Sequence, residues 1–131
     1  PAQSTQFINN HSLVMKITYG ESSFLFGGDL YTSGEKDVVE RYGDRLHVDV
    51  FKVGHHGDST SSSKSYRTAI SAKIAVMMHD AIADLNVYRK YKREGADTYI
   101  TSIDGCVLVS TAGNGEYTVI TQYDRMNDFL N

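Results

Sequence analysis

Cysteine and proline each occur once in the 131 residues of this sequence. A lone thiol excludes an internal disulfide framework. Cys106 sits in the apolar run Cys106-Val107-Leu108-Val109 and reads as a small buried residue rather than a thiol ligand. The scarcity of proline, with 40% hydrophobic and 22% charged residues, excludes a disordered or fibrous chain and fits an ordinary folded one. A surplus of positive charge is also missing. The formal charge of −3 argues against indiscriminate binding to nucleic acid or acidic membranes, while leaving room for a local basic groove. No signal-peptide pattern and no membrane-length apolar run is read. The polar opening, Pro1 to Gln6, resembles a linker or a cut edge.

The chain is rich in short alternating segments. Leu13 to Tyr19 and Ser22 to Phe26 read as strands joined by Gly20-Glu21, a two-residue hairpin signature. Thr32 and Glu35 have the spacing of a capping box, with a helix running to Tyr42 and stopped by Gly43. Val48 to Val53 reads as a buried strand, and the serines from Ser59 to Ser63 read as a loop capping a helix over Lys64 to Ile70. Lys73 to Met78 is a further strand, followed by a helix over Asp84 to Glu94 with Leu85, Tyr88 and Tyr91 on one face. Three strands close the chain, Thr98 to Ser102, Gly105 to Ser110 and Tyr117 to Gln122, with Asp104-Gly105 and Asn114-Gly115 as turns of a meander. Strands alternating with helices and then a meander give an α/β pattern with helices covering a sheet, with no internal repeat and no domain boundary.

Two segments carry candidate chemistry. In Phe26-Gly27-Gly28-Asp29-Leu30 an apolar strand ends in two glycines and a carboxylate. Glycine permits a sharp turn and close approach of a ligand, although Gly-Asp is also a common structural turn. In Lys52-Val53-Gly54-His55-His56-Gly57 a second strand ends in two imidazoles, the commonest protein ligands for zinc and related metals. Adjacent histidines more often divide the work, one binding and one orienting. A right-handed crossover would bring both strand ends to one crevice. His11, in Asn9-Asn10-His11-Ser12, fits a ligand or a turn residue equally well. His79 follows another strand at the same edge and is a candidate on the substrate side, whereas His47 reads as an edge residue.

In that order, Asn10-His11-Ser12-Leu13-Val14, Gly27-Gly28-Asp29-Leu30 and Asp49 to Gly57 resemble the metallo-β-lactamase superfamily of hydrolases. The similarity is to the C-terminal half of its domain, over Asn9 to Tyr123, and is closest to the hydrolase domain of competence DNA-uptake channels and to phosphorylcholine esterase. The resemblance implies half of an αββα sandwich, a mixed sheet with helices on one face. It also implies two divalent ions, zinc ahead of manganese, with Asp29 bridging both and His56 as the late histidine ligand of one. His55 would then be the second choice or a neighbour of the ligand. His11 falls near the family's middle histidine ligand, a place that asparagine takes in many competence-type members. Asp29 and His56 would be catalytic, and His79, Ser61 and Lys64 would contact a phosphodiester substrate, the latter two at a helix N-terminus.

The sequence departs from that family in one large respect. The His-x-His-x-Asp-His run that supplies most metal ligands is absent. Residues 1–131 therefore read as one partial domain, completed by the missing N-terminal half or by another copy in a homodimer that covers an exposed sheet face. The parent would be a metal-dependent phosphodiesterase from a bacterial, secreted or membrane-associated protein. The alternatives are a non-catalytic fragment that folds and associates without turnover, or an acyl or lactone hydrolase on the same scaffold. Arg89, Lys90, Lys92 and Arg93 read as a solvated helix face.

Overall fold

The computed structural model describes residues 4–80 and 85–124. A short helix α1 (Thr5–Asn9) precedes a hairpin of β1 (Met15–Tyr19) and β2 (Ser22–Phe26). Then α2 (Thr32–Tyr42), β3 (Val50–Lys52), α3 (Lys64–Ile70), β4 (Ile74–Met77), α4 (Asn86–Arg93) and β5 (Asp97–Ile100) alternate. A helical turn α5 (Thr101–Asp104) leads to β6 (Val107–Ser110) and β7 (Thr118–Thr121). The first five strands form one sheet in the order β1-β2-β3-β4-β5, and β6-β7 form a separate pair. The β1–β2 pairing is antiparallel and the next three are parallel. This mixed sheet with helices is an α/β architecture consistent with half of an αββα sandwich.

Strand register divides the sheet into two unlike faces. Leu25, Phe51, Ala75 and Thr98 stand side by side on one face and are buried. Leu25, Phe51 and Ala75 pack with Tyr66 and Ile70 of α3 and with Val87, Tyr88 and Tyr91 of α4 in a single core. Parallel strands covered this way read as unbroken apolar runs, which is why Val50-Phe51 and Ile74-Ala75 are legible. On the opposite face Met15 and Ile17 pair with Phe26 and Phe24. Met15, Ile17, Tyr19 and Phe26 are exposed there, although Tyr117 crosses over to Phe24, ring to ring at 5.8 Å.

Several expectations are corrected. Residues 4–6 are not wholly linker, because Ser4 accepts from Phe7 N and starts α1. The capping box does not form: Tyr31 precedes α2 without a side-chain cap, and the Glu35 carboxylate leaves its own helix to accept from Ser62 N and Ser63 N at 2.5 and 2.8 Å. The closing meander is not one. The strand expected to reach Ser102 stops at Ile100, because buried Asp104 accepts Ile100 N at 2.7 Å and winds the chain into α5. β5 therefore joins β4, and β6 starts a second sheet. Cys106 is exposed, since β6 has a neighbour on one side only. Asp84, expected to open the helix over Asp84 to Glu94, lies outside the described residues.

Asp49 ties the two sheets together. Its Oδ2 accepts from Tyr117 Oη at 2.8 Å, and its Oδ1 lies 2.8 Å from Lys73 Nζ. Burial raises its pKa, but the Lys73 and Tyr117 hydrogen bonds and the Lys73 charge outweigh this and hold it below the ordinary aspartate value. A depressed carboxylate contributes stability above its unfolded pKa, near about 3.9, and loses it as pH falls toward the folded value. We expect Asp49→Asn to flatten the fall in urea midpoint below about pH 4. An acid limb as steep as in the native chain would count against this.

Candidate functional site

The parallel order of β2, β3, β4 and β5 sets their C-terminal ends in a row. Asp29 follows β2, His55 and His56 follow β3, His79 follows β4, and Thr101 follows β5. Sheet edges of this kind are where ligands meet open α/β folds. Two glycines permit the close approach between the first two ends. A Cβ on Gly27 would sit 3.0 Å from the Gly54 backbone, and Gly28, at φ +60°, would drive a Cβ to 2.6 Å from Ser12 Cβ. Ser12 Oγ then accepts from Asp29 N at 3.0 Å, and His55 N donates to Gly28 O at 2.8 Å.

The two histidines are both left-handed, at φ +48° and +56°, an uncommon conformation that costs energy and clusters at functional sites. Their rings point to different tasks. Ser61 Oγ donates to Leu30 O and Thr60 Oγ1 donates to Asp58 Oδ1. Both oxygens therefore accept from His55 Nδ1, at 3.1 and 3.2 Å. His55 Nε2 then accepts from Asn9 Nδ2 at 3.4 Å, and the ring packs on Tyr31 at 4.8 Å between centroids. Every polar atom of this imidazole is spent on the protein.

His56 is turned outward. Its Nδ1 donates to Met78 O at 2.8 Å, which leaves Nε2 as the ring nitrogen not bound to the protein. That atom lies 3.8 Å from Asp29 Oδ1, too far for a hydrogen bond. A carboxyl oxygen and an imidazole nitrogen thus face each other across a gap, with the far nitrogen of the ring tied to a carbonyl as metal-ligating histidines commonly are. The donor chemistry fits a divalent cation. The number does not complete a shell, because zinc takes three or four protein ligands and no group of three metal-competent side chains exists among the described residues.

Beside this pair lies a crevice of about 620 Å³, lined by His55, His56, Asp58, Met78, His79 and Thr101, among others. The hydroxyl and N–H of Thr60 hold the Asp58 carboxyl below the ordinary range, so the crevice carries a fixed negative charge. Asp58 stands two residues after His56, and nothing in the sequence marks it for this role. His79 lines the crevice as expected of that edge. It is braced by Thr101, whose Oγ1 accepts from His79 N and donates to His79 O, each at 3.0 Å.

The remaining candidates lie elsewhere. His11 packs on Phe7 at 4.5 Å, with Nδ1 2.7 Å from Phe7 O. Ser61 is 2% exposed, and its hydroxyl is spent on Leu30 O. Lys64 is exposed at the first residue of α3. The N–H groups of Ser62 and Ser63, just ahead of α3, already hold an anion, the Glu35 carboxylate, so this helix end has no place for the expected phosphate.

Comparison with known proteins gives partial matches. No family model matches the chain. It is 41% identical over 68 residues to competence protein ComA of Neisseria gonorrhoeae, covering 52% of this chain and 10% of that protein. It is 29% identical over 111 residues to the uncharacterized protein YcaI of Escherichia coli K12, covering 85% of this chain and 14% of that one. Against ComE operon protein 3 of Bacillus subtilis it is 35% identical over 69 residues, 53% of this chain and 9% of the relative. The chain thus spans about a tenth of the length of the relatives it matches. These findings overturn the assignment to the metallo-β-lactamase hydrolases and to phosphorylcholine esterase: ComA and ComE operon protein 3 are competence proteins, YcaI is uncharacterized, and none is named as a hydrolase. What the comparisons support is similarity to competence proteins at moderate identity.

Proposed function

We propose that this chain is part of a DNA-uptake protein and supplies half of a metal-dependent phosphodiesterase centre. The observation that carries this reading is the Asp29–His56 pair, a carboxyl oxygen and an imidazole nitrogen facing one gap with the imidazole's other nitrogen anchored. The competence names of its relatives point to DNA as the substrate. Asp29 and His56 would hold the ion, which when bound would polarise a phosphoryl oxygen and activate water. Met78 O anchors the His56 ring, Ser12 Oγ fixes the Asp29 backbone, and His55 staples the loop beneath them. Asp58 would repel stray anions from all but the ion-bearing end of the crevice. Zinc ahead of manganese is the ion this donor pair suits.

With two donors, the chain alone should hold little metal and turn over nothing. Elemental mass spectrometry after dialysis tests this. We expect well under one ion per isolated chain, and about one or two per chain once the complete protein supplies the other ligands. Metal-free complete protein that still cleaves DNA would sink the proposal.

The open sheet face would be covered by a second layer, from the rest of the protein or, in the isolated chain, by another copy. Exposed apolar faces of this extent mark interfaces. We expect sedimentation at high concentration to show association that Ile17→Asp reverses. A strictly monomeric native chain would exclude it. No helix among the described residues is long and apolar enough to cross a membrane.

A further inference from the structure

A second depression, of about 560 Å³, runs between β1 and α2 on the helix side of the sheet. Its floor is apolar, formed by Val14, Leu25, Val38 and Leu46, and its walls carry Lys16, Arg41 and Arg45. Lys16 Nζ donates to Arg45 O and His47 O, each at 2.8 Å, which pins the ammonium in place without neutralising it. The Arg41 and Arg45 guanidinium carbons stand 5.5 and 5.1 Å from the centre of the Tyr42 ring, and that ring is 41% exposed. Among the described residues no carboxylate lies within ion-pairing distance of these three cations. Asp37 is the single acid among the lining residues. On a chain of formal charge −3, this is a local excess of positive charge around an exposed aromatic ring.

From this groove we infer a binding track for single-stranded nucleic acid, with phosphates on Lys16, Arg41 and Arg45 and a base stacked at Tyr42. The combination selects the ligand class. Cations with no carboxylate partner call for phosphates, and an exposed ring with guanidiniums over it offers a flat stacking surface for an open base face, which a duplex hides and an inorganic anion lacks. The groove also leads somewhere. Ser12 lines one end of it and is the residue whose hydroxyl takes Asp29 N, so a strand lying in the groove arrives beside Asp29. The inference deepens the phosphodiesterase reading by naming a single strand, but the groove's binding does not need turnover.

The test is fluorescence anisotropy of a labelled oligothymidylate with the 131-residue chain, in chelator, across a salt series. Three neutralised phosphates predict a slope of log association constant on log salt of about −2, at roughly 0.7 per phosphate. Replacing both Arg41 and Arg45 by Ser should weaken binding at least about tenfold at low salt and remove roughly 1.4 from that slope. Tyr42→Ala should weaken it about tenfold with the slope unchanged, and Tyr42→Phe should bind like the native chain. If the arginine variant loses binding while the complete protein shows no turnover, the groove stands and the phosphodiesterase falls. Absence of saturable binding, a slope that survives the double arginine replacement, or competition by inorganic polyphosphate as strong as by the oligonucleotide would each overturn the groove.

Discussion

Glu35→Ala should destabilise this chain by about 3 kcal/mol, the largest loss of stability expected from any single side chain outside the apolar core. Glu35 is 1% exposed, and its two oxygens accept the Ser62 and Ser63 N–H groups at 2.5 and 2.8 Å. Truncation strands one buried and one half-buried donor, at about 1–3 kcal/mol each, with some relief from entering water. The loss spreads, because Ser62 is also held at its Oγ by Tyr91 Oη at 3.1 Å and at its carbonyl by Arg67. Arg67 is in turn paired with Glu94 at 2.8 Å. Ser62 itself is left-handed, at φ +62°, a conformation that persists only while its surroundings enforce it. Glu35→Gln keeps one acceptor and should lose about half as much. Urea midpoints at unchanged slope measure both. An alanine variant within about 1 kcal/mol of the native chain would mean that water satisfies these donors without help.

The same residue shows where sequence reading stops. Thr32 and Glu35 have capping-box spacing, so the sequence marks Glu35 as an acceptor for backbone N–H groups. Its partners lie 27 and 28 positions away, and local spacing says nothing about them. What was legible was local and periodic. The Gly20-Glu21 hairpin pairs Tyr19 with Ser22, α3 spans Lys64–Ile70 as expected, and Tyr88 and Tyr91 are buried on one face of α4. The row of strand ends was also legible, because alternating strands and helices with one crossover hand leave little choice of edge. The closing meander failed at Asp104, where an Asp-Gly pair signals a turn without saying which strand it serves. The residues alone left the division between His55 and His56 open, and only the resemblance named His56. The division depends on Ser61 and Thr60 having spent their protons on Leu30 O and Asp58, a matter of the folded loop alone.

That division gives the second large effect. If the proposed phosphodiesterase reading holds, His56→Asn and Asp29→Asn in the complete protein should each lower DNA phosphodiester turnover about a thousandfold, because an ion's several kcal/mol translate at tenfold per 1.36 kcal/mol. Neither should change stability by more than about 0.5 kcal/mol, since the two side chains are 56% and 39% exposed and meet only across a 3.8 Å gap. His55→Asn should behave in the opposite way. Asparagine tolerates the left-handed backbone, so the substitution removes only the ring with its bonds to Ser61, Thr60 and Asn9 and its contact with Tyr31. About 1–2 kcal/mol of stability should go, while turnover at saturating metal falls no more than about tenfold, the lower range for a residue that orients a ligand. Kinetics and urea midpoints on the three variants decide the matter. If His55→Asn abolished turnover while His56→Asn merely destabilised the chain, the roles assigned to the two rings would be reversed. If all three retained turnover, the pair at the sheet edge would have no part in the chemistry.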